Sequence, residues 1–182
     1  PKLILLDEPF TGIDPVTGAK LTGTLLAQSE KVQRGIREVQ VEGRLGGKPA
    51  IIVSGRSDTL IPVNHASRAY VGANRKAEEN SKSHYYEVTN AQHFDSFIDL
   101  LPGYDTRLIP LHVYFNQAMD LMFAHLKNGT ALPASQVVRT TPRSGTAGSP
   151  PPLTAANVPP IAATPAAGDV ISYSNSTLSV PD

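Results

Sequence analysis

Three observations predict an α/β chain with a mostly parallel sheet and flanking helices. The short, wholly apolar runs "KLILL" and "AIIVSG" have the composition of strands buried on both faces. Stretches with apolar residues at helical spacing lie between and after them. Strands that alternate with helices in this way place the helices over both faces of one sheet. No internal repeat is visible.

Residues 2–6 are the first expected strand, and "PFTGIDPVTG" after them is dense in turn formers. Residues 25–41 place Leu25, Leu26, Val32, Ile36 and Val39 at helical spacing. Gly35 weakens that helix by about 1 kcal/mol relative to alanine. "AIIVSG", bounded by Gly46-Gly47 and Gly55, predicts the second strand. "HASRAYVGANRKAEEN" follows, with Ala66, Tyr70 and Ala73 on one helical face. "HYYEVTNAQHF" then predicts a third strand running into a loop that carries His93. A long amphipathic helix is expected from about Arg107 to Lys127, its apolar stripe made of Leu108, Leu111, Phe115, Met119, Met122, Phe123 and Leu126. Gly129 suits its left-handed cap.

Composition divides the chain. Hydrophobic residues at 40% and charged residues at 18% fit a soluble globular class, yet most of the 16 prolines lie after Leu132, where aromatic and charged side chains almost vanish. Residues 131–182 are therefore expected to be a largely extended Pro/Ala/Ser/Thr-rich tail. Residues 1–130 hold the folded part, with 1–13 of uncertain origin. Sixteen basic and sixteen acidic residues cancel, which leaves no electrostatic case for a nucleic-acid partner. No run reaches the length of a membrane span, and no signal peptide is recognised at the start. The absence of cysteine excludes disulfides and Cys-based zinc sites. A chain that opens at Pro1, straight into a strand-like run, reads as part of something longer.

Two acids end apolar runs. "KLILLDEP" with "TGIDP" after it resembles the Walker B and D-loop segment of ABC-transporter ATPases, where the position of Asp7 helps to hold Mg²⁺ and that of Glu8 polarises water. The resemblance covers about fifteen residues. No G-x-x-x-x-G-K-[ST] loop and no LSGGQ-type signature accompany it, so a truncated ATP-binding fragment is the alternative reading, and Asp7 and Glu8 as solvated turn residues the plainer one.

Asp58 stands three residues after Gly55 in "AIIVSGRSDTLIPV", and His93 follows in the loop after the next strand. In α/β-hydrolases an acid at a strand end and then a loop histidine occur in this chain order, because the carboxylate must be held rigidly against the imidazole. Asp58 would accept the Nδ1 proton of His93, and Nε2 would take the proton of a serine nucleophile. An Asp in a turn or a lone His is uninformative by itself; order and spacing together carry the assignment. His65, His84, His112 and His125 are expected in surface or packing roles, and Asp95 at a helix start. No G-x-S-x-G occurs, so the serine is expected upstream of Pro1 and the chain alone is expected to be inactive. "LPGYDTRLIP" is a candidate pocket rim or a plain loop.

From about Asp14 onward the chain resembles the 3-hydroxybutyrate oligomer hydrolases, bacterial enzymes that cleave short oligoesters of D-3-hydroxybutyrate to monomer. The likeness runs through "GKPAIIVSGRSDTLIPVNHASRAY", "YYEVTNAQHFD", "LPGYDTRLIPLHVYFNQAMDLMFAHL" and "LPASQVVRTTPR". It implies the C-terminal part of a serine esterase of α/β-hydrolase type, with Asp58 and His93 as triad acid and histidine. It further implies acyl transfer to serine followed by hydrolysis, with no metal, cofactor or nucleotide. The expected partners are the ester substrate and the missing N-terminal part of the same enzyme. Cytoplasmic and secreted locations both stay open.

Overall fold

The computed structural model describes residues 15–182. The expected strand at residues 2–6 and the Asp7-Glu8 pair lie outside them. The chain divides into two compact units, Pro1–Val41 and Glu42–Asp182.

In the first unit, helix α1 spans Pro15–Val39. It begins well before Leu25, where periodicity had suggested a start. Pro15 occupies the first helical position, where its fixed φ is preorganised and its missing N–H costs nothing. A proline that reads as a turn former is here a helix start. Leu25, Leu26, Val32, Ile36 and Val39 are all exposed.

The second unit contains β1 (Ala50–Gly55), α2 (Ser67–Ala77), β2 (Ser83–Val88), α3 (Phe97–Leu100), α4 (Tyr104–Arg107), α5 (His112–Asn128) and β3 (Gln136–Val138), then a short hairpin of β4 (Ser172–Ser174) and β5 (Thr177–Ser179). Strands β1, β2 and β3 form a parallel sheet in that order. Among the described residues β1 is paired along one side only.

Side chains alternate across this sheet with period two, and each face has its own core. Tyr86, Val88 and Val138 pack on one face with Ile109 and Tyr114, joined by half-buried Ile51 and Val53. Tyr85 and Val137 pack on the other with Val71 of α2 and Ile171, joined by Ile52. A small parallel three-stranded sheet with flanking helices is therefore present over Glu42–Asp182; β1 and β2 are expected strands, whereas β3 falls in the stretch expected to be a tail.

Helix α5 differs from expectation in two respects. Helix α5 starts at His112, not Arg107, because Pro110 disfavours a helical conformation at Ile109 and the Ile109 N–H is committed to the Asn90 carbonyl at 2.8 Å. The face of α5 turned inward carries Tyr114 and Ala118, whereas Phe115, Met119, Phe123 and Leu126 of the predicted stripe are exposed.

Residues 131–182 do not stand apart as a tail. They supply β3, and Ile161 and Ile171 enter the two cores. Little of the segment forms regular secondary structure, so side chains of the core elements satisfy its backbone. The Gln136 amide donates to the Ala162 carbonyl and accepts from the Ala162 N–H, both at 2.9 Å. Gln117 accepts from the Ile161 N–H at 2.9 Å, and the Tyr114 hydroxyl donates to the Pro159 carbonyl at 2.9 Å.

Candidate functional site

Parallel neighbours end at the same edge of a sheet, so the loops after β1 and β2 emerge side by side. Gly55 is in register with Val88. Past that point the loops stay bonded: the Arg56 N–H donates to the Val88 carbonyl at 2.8 Å and the Ser57 N–H to the Ala91 carbonyl at 2.9 Å. The approach at Gly55 leaves no room for a side chain, since a β-carbon there would fall 2.2 Å from the Ala91 oxygen. Glycine at this position lets the two loops touch through their backbones.

Asp58 and His93 meet across this contact. His93 Nδ1 lies 2.5 Å from Asp58 Oδ2, and with the carboxylate ionised it is Nδ1–H that donates. The other carboxylate oxygen, Oδ1, accepts from the amides of Leu60 at 3.0 Å and Ile61 at 2.9 Å. Asp58 is buried. Burial pushes its carboxyl up, but the hydrogen bonds from Ile61, His93 and Leu60 outweigh that and hold it below its ordinary value. The carboxylate is thus charged, fixed on both oxygens and able to set the imidazole tautomer.

His93 itself is partly open, its side chain 27% exposed. It borders a cavity of about 430 Å³ shared with Val53, Asp95, Leu111, His112 and Phe115. The Phe94 ring lies 4.0 Å from the imidazole, centroid to centroid, at 45°. Asp95 does serve a helix start, that of α5: its carboxylate accepts from the Leu111 amide at 2.7 Å and the His112 amide at 2.9 Å. The His112 ring donates to the same carboxylate at 2.5 Å. His84 donates from Nδ1 to the Pro133 carbonyl at 2.6 Å, and His125 from Nδ1 to the Thr130 carbonyl at 2.8 Å. Both fill packing or capping positions.

A second polar cluster escaped sequence reasoning. Glu87, fully buried on β2, accepts from Arg56, from Arg68 at 2.6 and 2.7 Å, and from the Tyr85 hydroxyl at 2.8 Å. Burial pushes this carboxyl up; the bonds from Arg68, Tyr85 and Arg56 override it and hold the group below its ordinary value. Arg56 also donates to the Pro181 carbonyl at 2.6 Å. This cluster anchors the first residue after β1, two positions before Asp58. Its one sequence signal is an acid within the otherwise apolar strand "HYYEV".

Among the described residues no group of three or more His, Asp or Glu side chains is arranged to hold a metal. No described helix is long and apolar enough to cross a membrane.

Comparison with known proteins extends the likeness across nearly the whole chain. The family described as 3HB-oligomer hydrolase matches residues 8–182. The chain belongs to the 3HB-oligomer hydrolase family. It is similar to the D-(-)-3-hydroxybutyrate oligomer hydrolase of Paracidovorax citrulli (strain AAC00-1), at 58% identity over 166 residues, 89% of this chain and 23% of that protein. A namesake from Ralstonia pickettii is 56% identical over 160 residues, 86% of this chain and 22% of its own. Another, from Cupriavidus metallidurans, is 51% identical over 187 residues, 95% of this chain and 26% of its own. The chain therefore spans about a quarter of the length of the curated relatives it matches. No solved structure matches it. The family match takes in residues 8–13 of the opening stretch 1–13, which the family resemblance alone did not place, and the comparisons lend no support to the nucleotide-binding reading of Asp7 and Glu8.

Proposed function

We propose that this 3HB-oligomer hydrolase chain supplies the acid and the base of a serine esterase acting on oligomers of D-3-hydroxybutyrate. The observation that carries the reading is the 2.5 Å contact between His93 Nδ1 and Asp58 Oδ2 at one end of a parallel sheet. Neighbouring strands that deliver first the acid and then the histidine support an arrangement of α/β-hydrolase type. The whole Glu42–Asp182 unit, not residues up to 130 alone, then belongs to the catalytic domain.

The roles follow from the geometry. Asp58 holds His93 with Nδ1 protonated, which leaves Nε2 as the acceptor for a serine hydroxyl proton. The serine oxygen attacks the ester carbonyl, and His93 passes the proton to the departing alcohol. A water then cleaves the 3-hydroxybutyryl ester, with His93 again taking and returning one proton. The nucleophile comes from the longer enzyme, since the chain contains no G-x-S-x-G.

The test is hydrolysis of the linear D-3-hydroxybutyrate dimer by the longer enzyme with His93→Ala. A loss of about 10³-fold or more in kcat supports the reading. Activity within a few-fold of the parent removes His93 from the chemistry.

A further inference from the structure

A second cavity, of about 530 Å³, opens beside the dyad. Its walls come from both dyad loops, through Ser57, Leu60 and Gln92, and from the "LPGYDTRLIP" segment, through Arg107 and Leu108. Phe97 completes the apolar side and links the cavity to the imidazole: its ring lies 5.1 Å from Phe94, which lies 4.0 Å from His93. The segment that sequence alone left as rim or loop is thus part of the wall.

Arg107 is the cation of this cavity. Its Nε donates to the Gly103 carbonyl at 3.0 Å and its guanidinium carbon stands 5.8 Å from the Tyr104 ring centroid. Both contacts hold the side chain in place without neutralising it. Among the described residues it forms no ion pair. The neighbouring carboxylate, Asp105, is buried and accepts from the Gly148 N–H at 2.6 Å. An arginine oriented this way, whose terminal N–H groups donate to no group among the described residues, matches a carboxylate in a bidentate fork. Apolar walls from Leu60, Phe97 and Leu108 suit methyl and methylene groups.

A linear oligoester of a hydroxy acid has one ionised end, the carboxylate, and a body of methyl-bearing ester units. We propose that Arg107 binds the terminal carboxylate of such an oligoester, with its first apolar unit against Leu60, Phe97 and Leu108. This rests on the esterase reading of the dyad and adds to it the polarity of substrate binding, with the carboxylate end held on the Arg107 side.

The test uses this chain, ¹⁵N-labelled, titrated with the linear D-3-hydroxybutyrate dimer as the free acid and as its methyl ester. The acid is expected to shift the Arg107 Nε–H signal and the Leu60 and Gln92 amides, and to bind about tenfold or more tightly than the ester. Arg107→Gln should erase that preference, and Arg107→Lys should retain part of it. Equal affinity of acid and ester for the parent chain overturns the proposal, as does failure of the acid to bind or an undiminished preference in Arg107→Gln. Hydrolysis by the longer enzyme with His93→Ala, set beside this titration, separates the two readings. An inert His93 in hydrolysis with an intact acid preference sinks the esterase assignment and leaves the carboxylate site standing.

Discussion

The α-carbon of Gly55 faces the Ala91 carbonyl so closely that an added β-carbon would stand 2.2 Å from its oxygen and 2.6 Å from the Gln92 nitrogen. Backbone cannot yield as a flexible side chain can, so Gly55→Ala must push the acid loop away from the histidine loop. A loss of about 2–3 kcal/mol is expected in urea unfolding. In the longer enzyme, assayed where both forms are folded, kcat should fall as well, because the displaced loops carry Asp58 and His93. Unchanged unfolding and activity would show that the loops are not held by this contact.

Asp58→Asn keeps an acceptor for the Leu60 and Ile61 amides, so the turn should survive. The amide no longer offers a charge to the imidazole and can donate to Nδ1, which favours the tautomer with its proton on Nε2. A fall of about 10⁴ in kcat is expected. Heteronuclear NMR of the imidazole nitrogens checks the cause: the variant should show the Nε2–H tautomer while the rest of the spectrum stays close to the parent.

Glu87 bears on stability rather than on chemistry. Glu87→Gln leaves Arg56 and Arg68 without their shared carboxylate, and truncating one side of a buried charge cluster costs about 3–5 kcal/mol. Equilibrium unfolding measures it. A cost below about 1 kcal/mol would mean that solvent reaches the two guanidinium groups and compensates.

Acid should weaken this fold in two stages. His84 is held below its ordinary 6.5, first by burial and then by the charges of Arg75 and His125, against the opposing Pro133 carbonyl. The folded state therefore resists protonating His84 more than the unfolded chain does, and stability falls as pH drops below 6.5. Asp58 and Glu87 are held below 3.8 and 4.5. Their contribution is complete above those values and is lost as pH falls through the lower, folded ones. Unfolding free energies measured across the acid range should show a shallow decline and then a steeper one, and His84→Gln should remove the shallow part.

Ile161→Ala tests whether residues 131–182 are part of the fold. Ile161 is 8% exposed and packs with Tyr86, Val88 and Tyr114. A loss of about 2–4 kcal/mol is expected from the cavity left behind, read as a lower urea midpoint. A tail that merely trailed from the domain would tolerate the change.

The parts that could be read in advance are those where local sequence and tertiary role agree. "AIIVSG" and "HYYEV" are apolar because both faces of their strands are covered, and the turn after Gly55 carries its acid because strand ends are where loops meet. The parts that could not be read depend on distant partners. Nothing local says that Gln117 and Gln136 will satisfy the backbone of a proline-rich stretch, or that two arginines from other elements will converge on Glu87. Period alone also failed on α5, where two apolar stripes share one helix and only contact with the sheet decides which is buried. Pro15 and Pro110 show the same residue type beginning one helix and delaying another.

The outward stripe of Phe115, Met119, Phe123 and Leu126 makes the Glu42–Asp182 unit adhesive in water. Apolar side chains exposed in a row recruit like surfaces. A solution of the isolated chain should self-associate as its concentration rises, and mild detergent or a few lysines on the α5 stripe should keep it dispersed.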